Sequence, residues 1–366
     1  MKHILLLVTL STLTVVVARP QGCVAIRSNG ASCSMGNPAA AKGWQLNFNT
    51  RYFKSYKHFV GTAEQKHRVE DGTEVINHSF SWDFTLTRNL NNRWSLALTV
   101  PVLSNTRSSL YEHYGNNSNK PNARNKTKSF GIGDIRLSAY RWLFDPAKSH
   151  KGNLQAGLGI KLPTGDYQYQ DYFHKVSSTG QDSAILGPVD QSIQLGDGGT
   201  GIAIELNGFY NINHRLGLYG NFYYLINPRE QNGTSTSRGG NISASAIKYY
   251  TSTMSVADQY MMRGGLNLMV HKFTFSGGIR VEAVPSSDLI GGDKGFRRPG
   301  IVTSAEPVVA YATKKGNIYL SVPVAIRRNR TQSYSDKLRS EETGTKVQGD
   351  AAFADYLINL GFSIRF

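Results

Sequence analysis

The sequence predicts an all-β protein: a transmembrane antiparallel β-barrel of about twelve strands, with short periplasmic turns and long extracellular loops. Three observations predict it. The last eleven residues alternate between bulky apolar and small or polar side chains, twelve segments repeat that alternation, and the connections between them alternate between short and long. Successive side chains on a strand point to opposite faces, so each segment has one apolar and one polar face.

The closing segment, residues 356–366, has the clearest pattern, and it ends the chain on a phenylalanine carboxylate. In the closing strand of an outer-membrane barrel the apolar face meets lipid and the other face meets the lumen. We expect this face to be the signal for barrel-assembly machinery during insertion: Tyr356, Ile358, Leu360, Phe362, Ile364 and Phe366. The edge strand of a soluble sandwich is the alternative that this segment alone leaves open.

The N-terminus has the form of a secretory signal peptide over residues 1–18. A basic start precedes an uncharged apolar run, Ile4 to Val17, and Val16-Val17-Ala18 fits a cleavage site; a second candidate puts cleavage as late as residue 25. The run is short for a membrane-spanning helix, and no other stretch approaches its length. A membrane location therefore requires a closed barrel. We assign residues 19–43 to a periplasmic N-terminal segment and 44–366 to the barrel.

The chain has two cysteines, Cys23 and Cys33, both just after the signal. If cleavage falls before Cys23, the two could close a small disulfide loop in an oxidising compartment. A lipid anchor is less favoured because residues 19–22 make a poor lipidation site. Zinc is disfavoured because no other cysteine exists and no histidine lies nearby. We predict no metal and no cofactor.

Composition agrees with one large barrel. The chain has 366 residues, of which 40% are hydrophobic, and its mean hydropathy is only −0.34. A barrel exposes only alternate residues to lipid, so a low mean value does not exclude a membrane protein. The 19 Tyr, 16 Phe and 4 Trp suit interfacial girdles. The net charge of +16 is spread over predicted loops, which indicates contact with anionic lipid and lipopolysaccharide rather than nucleic acid.

The twelve alternating segments follow one another from residue 44 to the end of the chain. They are Trp44–Lys54, Val75–Thr87, Trp94–Leu103, Gly133–Trp142, Asn153–Leu162, Gly201–Ile212, Leu216–Leu225, Gln259–Val270, Phe273–Val284, Ile301–Ala312, Asn317–Arg327 and Ala352–Phe366. Five short connections alternate with six long ones, the longest being residues 163–200. An even strand number puts both termini in the periplasm, as export by an N-terminal signal requires.

Charged residues share the polar phase of these segments and are predicted to line the lumen. They are Arg51, Asp83, Asp134, Arg136, Lys161, Glu205, Arg263, Arg280, Glu282, Glu306, Arg327 and Arg365. An Arg or Lys facing lipid at mid-bilayer costs roughly 2–4 kcal/mol, so this phase must face water or paired charges. Seven positive against five negative side chains predict weak anion preference at most. The alternative is the outer face of a soluble sandwich, against which the signal peptide and the loop pattern weigh.

The sequence favours no catalytic or phosphate-binding motif. The glycine-rich stretch 196–201 precedes a strand, not a helix, so a phosphate-binding loop is not indicated. His78 and Ser79 are adjacent on a strand and point to opposite faces, so His78 cannot activate Ser79. A rim protease with His113, His174 and Asp171 has no supporting spacing. The basic clusters 296–299 and 327–330 indicate either solvated surface or an electropositive entrance for anions.

Loop 163–200 carries Tyr167, Tyr169, Tyr172 and Phe173. These aromatic residues could make it a constriction or a ligand platform in the mouth of the barrel. A mobile surface loop is the alternative.

Four segments resemble the outer-membrane transporters of the phenol meta-pathway type, which are distantly like long-chain fatty-acid transporters. The matching residues are Gly131–Arg136, Gly157–Asp166, Leu195–Gly201 and Gly349–Tyr356. The resemblance spans roughly residues 44 to 366 and implies a barrel that passes small, often hydrophobic or aromatic molecules. Only about twenty residues separate the signal from the first strand, which leaves little room for the N-terminal plug of the fatty-acid transporters.

The predicted function is therefore passive diffusion of small solutes, hydrophobic or aromatic ones included, through a channel in the Gram-negative outer membrane. Two other classes stay open at this point. One is an outer-membrane hydrolase, a lipase or protease, on the same scaffold. The other is a secreted soluble β-protein that binds a ligand.

Overall fold

The computed structural model describes residues 42–119, 123–177 and 179–366. The predicted signal peptide, its cleavage site and the Cys23–Cys33 pair lie outside the described residues. Within the described ranges, every helix is too short or too polar to cross a bilayer.

Twelve antiparallel strands form a closed barrel, which confirms the predicted fold. The first strand pairs with the last from Gln45 opposite Arg365 to Phe59 opposite Ala351, so the sheet of the twelve described barrel strands closes on itself. The fourth and eleventh strands are each interrupted. In chain order the strands are Gly43–Val60, Ile76–Asn89, Trp94–Ser109, Asn125–Ile132 with Arg136–Trp142, Gly152–Lys161, Gly201–Asn211, Leu216–Ile226, Gln259–Val270, Phe273–Val284, Gly300–Ala312, Gly316–Ser321 with Val324–Arg330, and Ala351–Arg365.

The short turns have local chemistry that closes them. Asn91 Oδ1 accepts hydrogen bonds from the backbone of Arg93 at 2.8 Å and Trp94 at 2.9 Å. In the turn between the sixth and seventh strands, Asn213 Oδ1 accepts in the same way from the backbone of Arg215 and Leu216. Such asparagine side chains imitate a backbone turn. In the turn His271–Lys272, His271 adopts φ 56°, as tight hairpins require.

The barrel exterior is apolar around its circumference, with Leu158, Phe275 and Leu360 about half exposed, whereas the inward Asn207 and Asn221 are buried. A continuous apolar belt of this size is unfavourable in water and fits lipid. Trp44 and Trp94 stand at its periplasmic end, each beneath an arginine, in the manner of an interfacial girdle. The predicted location is confirmed: the protein spans the outer membrane with its strands.

The long loops carry the remaining structure. Loop 61–75 contains the short strand Ala63–Glu64 and the helix His67–Glu70. Loop 162–200 contains the hairpin Gln170–Val176 and Asp182–Pro188, followed by a 3-10 turn, Gln191–Ile193. Loop 227–258 contains the paired strands Gln231–Ser235 and Thr253–Ser255 and the helix Ala244–Lys248, and loop 331–350 contains the helix Tyr334–Thr343.

Candidate functional site

Loop 162–200 folds into the barrel and constricts it. Ile193 is fully buried at the inner surface, where its carbonyl accepts hydrogen bonds from Ser129 Oγ and from Asn105 Nδ2. Of the aromatic residues that could form a ligand platform, Tyr172 is exposed and Phe173 packs on His113 in the loop layer. The residues of this loop that line the lumen are polar or small apart from one leucine: Gln191, Ser192, Gln194, Leu195, Gly196 and Asp197.

The loop is fixed where three glycine-rich motifs meet. Asp134 lies in the break of the fourth strand; its carboxylate accepts from the backbone of Gly165 at 3.0 Å and of Asp197 at 3.2 Å. Lys161 Nζ contacts both Asp134 and Asp197. A Cβ at Gly165 would lie 2.5 Å from Leu195 O, so only glycine allows this close approach. Residues 131–136, 157–166 and 195–201 thus form one junction between loop and wall.

Below this junction, buried charges cross the lumen in a network. Arg136 Nη1 donates to Tyr223 OH at 3.3 Å, and Tyr140 OH donates to Glu205 at 3.0 Å. These bonds join the fourth strand to the seventh and the sixth. On the opposite side, Glu306 forms ion pairs with Arg280 at 3.3 Å and with Arg263 at 3.5 Å. Arg280 also forms an ion pair with Glu282 at 2.7 Å. Arg51 Nε donates to Asn359 at 3.0 Å.

Ten of the twelve predicted lumen residues have side chains buried inside the barrel. Arg327 does not, and this prediction is wrong. Arg327 pairs with Thr303 while Ala325 pairs with Ser304, so Ile326 is an extra residue that reverses the alternation and turns Arg327 outward. Arg365 is exposed at the periplasmic mouth, where it binds Gln45. Without these two, seven positive side chains become five, which balance the five carboxylates.

Two cavities share a wall in the constriction. The lumenal cavity, about 180 Å³, lies against the loop and is lined by residues including Arg51, Asn105, Lys161 and Tyr223. A second cavity, about 530 Å³, lies among the extracellular loops, and all six long loops contribute to it. Of the residues that the structure describes, three line both cavities: Gln191, Met254 and Arg298. We call the outer cavity the vestibule.

The candidate residues for hydrolysis make contacts other than those of a catalytic site. His78 Nδ1 lies 3.0 Å from Tyr52 OH on the outer face, whereas Ser79 Oγ donates to Asn105 inside the barrel. His174 Nδ1 lies 3.0 Å from Asp182, and Asp171 accepts from the backbone of Lys128. Burial lowers the pKa of His113 to about 4. Across the described ranges, no group of three His, Cys, Asp or Glu side chains is placed to hold a metal.

No protein-family model matches the chain, and no curated protein matches it. Its structure resembles the COG4313 outer-membrane channel from Pseudomonas putida F1, with a TM-score of 0.57, 11% identity, and 93% of this chain and 100% of that chain covered. The translocator domain of the autotransporter NalP from Neisseria meningitidis covers 89% of each chain at 15% identity. A FadL homologue from Pseudomonas aeruginosa covers 94% of this chain and 96% of its own at 9% identity. Both have a TM-score of 0.44, so only the likeness to the first bears on the fold, which is a closed outer-membrane β-barrel.

Proposed function

We propose that the protein is a passive channel for small solutes and not an enzyme. The observation that carries the proposal is the shared wall between the two cavities: the side chains of Gln191, Met254 and Arg298 stand between the vestibule and the lumen. Side-chain and loop motions on nanosecond to microsecond timescales would connect the two spaces without unfolding a strand.

The lumen has the chemistry of a water-filled passage. Among the described residues, Glu205 Oε2, Arg263 Nε and Asn267 Oδ1 are buried polar atoms without a protein hydrogen-bond partner. Buried polar atoms of this kind are normally satisfied, and water is the partner that a channel supplies. The interior below the loop is therefore proposed to be hydrated.

The size of the lumenal cavity sets the class of solute. A cavity of about 150 Å³ accommodates a benzene-sized molecule, so the cavity of about 180 Å³ admits one small ring or its aliphatic equivalent. Its lining mixes charged side chains, such as Arg51 and Lys161, with apolar ones, such as Phe53 and Leu225. This mixture favours small solutes that carry both a polar group and an apolar body.

The structure also supports proposals about the relatives of the protein and the molecules that it contacts in the outer membrane. We propose a distant relation to the transporters of the phenol meta-pathway type, supported by the meeting of three resembling motifs at the Asp134 junction. We also propose that the basic loops contact lipid and lipopolysaccharide phosphates. The outward row from Tyr356 to Phe366 is proposed as the surface that barrel-assembly machinery binds.

Planar-bilayer recording of the purified chain tests the proposal. The wild type should give small discrete conductance steps, and Gln191→Ala with Met254→Ala should enlarge them by thinning the shared wall. Lys315→Gln, in a short periplasmic turn, is the matched control and should conduct like the wild type. A silent membrane with protein that migrates on gels as a heat-modifiable barrel contradicts the proposal. Liposome swelling with sugars, amino acids and aromatic acids then ranks the solutes.

A further inference from the structure

Arg330 is a buried cation whose hydrogen-bonding capacity is mostly unused. Its side chain is 4% exposed and lines the vestibule at the end of the eleventh strand. Nη2 donates to Asp336 Oδ2 at 3.0 Å, but Nε and Nη1 are buried without a hydrogen-bond partner among the described residues. A buried guanidinium has five donors, and leaving them unpaired is costly.

Asp336 cannot turn to satisfy Arg330 further, because it is committed to a helix start. The backbone of Ser333 donates to its Oδ2 at 2.9 Å, and the backbone of Gly349 donates to its Oδ1 at 3.2 Å. Ser333 and Asp336 form the capping box of the helix Tyr334–Thr343. The hydroxyl-bearing Ser333 and Ser335 line the same cavity, at the positive end of that helix.

The surrounding wall is rich in arginine. Seven arginines and three aspartates line the vestibule, a difference of four positive charges: Arg68, Arg107, Arg238, Arg297, Arg298, Arg330 and Arg339 against Asp190, Asp336 and Asp350. Behind the wall, Glu112 binds Arg107 and Arg238, and Asp288 and Asp293 both pair with Arg297, which reduces the difference from four to one. Arg298 lies close enough to Arg330 for the two charges to repel.

The vestibule also has apolar surface beside these cations. Tyr111, Val189, Met254 and Phe296 line it, and the Arg298 guanidinium stands 4.6 Å from the centre of the Phe296 ring. A negatively charged group at Arg330 would leave the body of a small molecule against these side chains. Arg298 also borders the lumenal cavity, so the bound molecule would sit at the entrance of the constriction.

We infer that the vestibule is a binding site for the carboxylate of a small organic acid, with Arg330 as its principal donor. The inference rests on the proposed channel function. It narrows the proposed solutes of the channel to molecules with an acidic group and an apolar body. Arg330 pairs with the carboxylate through the donors that Asp336 leaves free. The acid is thereby concentrated directly above the shared wall.

Isothermal titration of the full chain in detergent tests the site with benzoate as probe. Benzoate should bind at least tenfold more tightly than benzyl alcohol, which has the same ring without the charge. Arg330→Gln should weaken benzoate at least tenfold, whereas Arg215→Gln, an exposed arginine in a periplasmic turn, should not change it. Equal affinities for the acid and the alcohol, or an unaltered Arg330→Gln variant, would overturn the inference.

A second variant separates binding from folding defects. Asp336→Asn keeps the size of the side chain and an acceptor oxygen for the helix start but removes the competing charge beside Arg330, so benzoate should bind several-fold more tightly. A misfolded vestibule cannot produce that gain, and weaker binding in this variant contradicts the inference. Titration needs no open pore. If benzoate binds but the bilayers show no conductance, only the proposed channel function is contradicted. If the bilayers conduct but benzoate does not bind, only the proposed carboxylate site is contradicted.

Discussion

Asp190 holds the constricting loop in place, so its neutralisation should open the passage. Its two carboxylate oxygens accept from Arg298 at 2.8 and 2.6 Å, and Arg107 Nη2 lies 3.5 Å away. Oδ1 also accepts from the backbone of Ser192, which starts the 3-10 turn. Asp190→Asn keeps the volume of the side chain but leaves two buried guanidiniums without the charge that they share.

The magnitude follows from the burial of this cluster. Removing one partner of a buried ion pair costs about 3–5 kcal/mol. We expect the loop to move toward the vestibule while the barrel stays folded, so that the cost falls on the closed arrangement of the loop. With each 1.4 kcal/mol worth about tenfold, even about 3 kcal/mol lowers the ratio of closed to open forms by about two orders of magnitude.

Single-channel recording measures this ratio as open-state occupancy. Asp71→Asn, an exposed residue of the first long loop, is the control for loss of one charge. Burial raises the pKa of Asp190, but Arg107 and Arg298 outweigh it and hold that pKa well below its usual range. Asp190 has a pKa near 3.8 in the unfolded chain and a lower pKa in the folded one. The stabilisation by its charge is therefore complete above pH 3.8 and is lost only as the pH falls through the pKa of the folded state. Wild-type occupancy should therefore not change between pH 7 and 4. Unchanged occupancy in a folded Asp190→Asn barrel would refute this reasoning.

Three further predictions concern selectivity, pH and insertion. Arg136→Gln should shift the reversal potential in a salt gradient toward cations because it removes one of five buried positive charges, whereas the outward Arg327→Gln should leave it unchanged. Burial raises the pKa of Asp288 to about 6 although Arg297 lies beside it. Protonation of Asp288 below that pH therefore stabilises the folded loop, and this stabilisation is lost as the pH rises through about 6. Protonation also frees the charge of Arg297; benzoate titrations should therefore tighten from pH 7 to 5 in the wild type and stay flat in Asp288→Asn. Phe366→Ala should reduce the amount of barrel in the outer membrane of expressing cells, while refolded protein keeps the wild-type conductance; normal amounts in cells would contradict the proposed assembly signal.

The strands could be read from the sequence because their signal is local. Gln259–Val270 and Phe273–Val284 have the predicted bounds, since two faces in contact with lipid and lumen enforce clean alternation along each strand. The alternation predicts that the first strand ends at Lys54, but the strand continues to Val60, because bulges near Ser55 disturb the pattern there. A bulge of the same kind at Ile326 reversed the face of Arg327, and the sequence carries no mark of it.

The sequence by itself therefore determined the class of the protein: a barrel whose alternating side chains separate lipid from lumen, because side-chain direction repeats every two residues whatever the rest of the chain does. Only the tertiary structure decided what fills that barrel. The loop 162–200 turns inward because Asp134, Gly165 and Asp197 meet across the wall. The vestibule forms because six loops close over the strand ends that carry Arg107 and Arg330 and place Arg298 beside them. Contacts between residues so far apart in the chain depend on closure of the barrel, which no local pattern encodes.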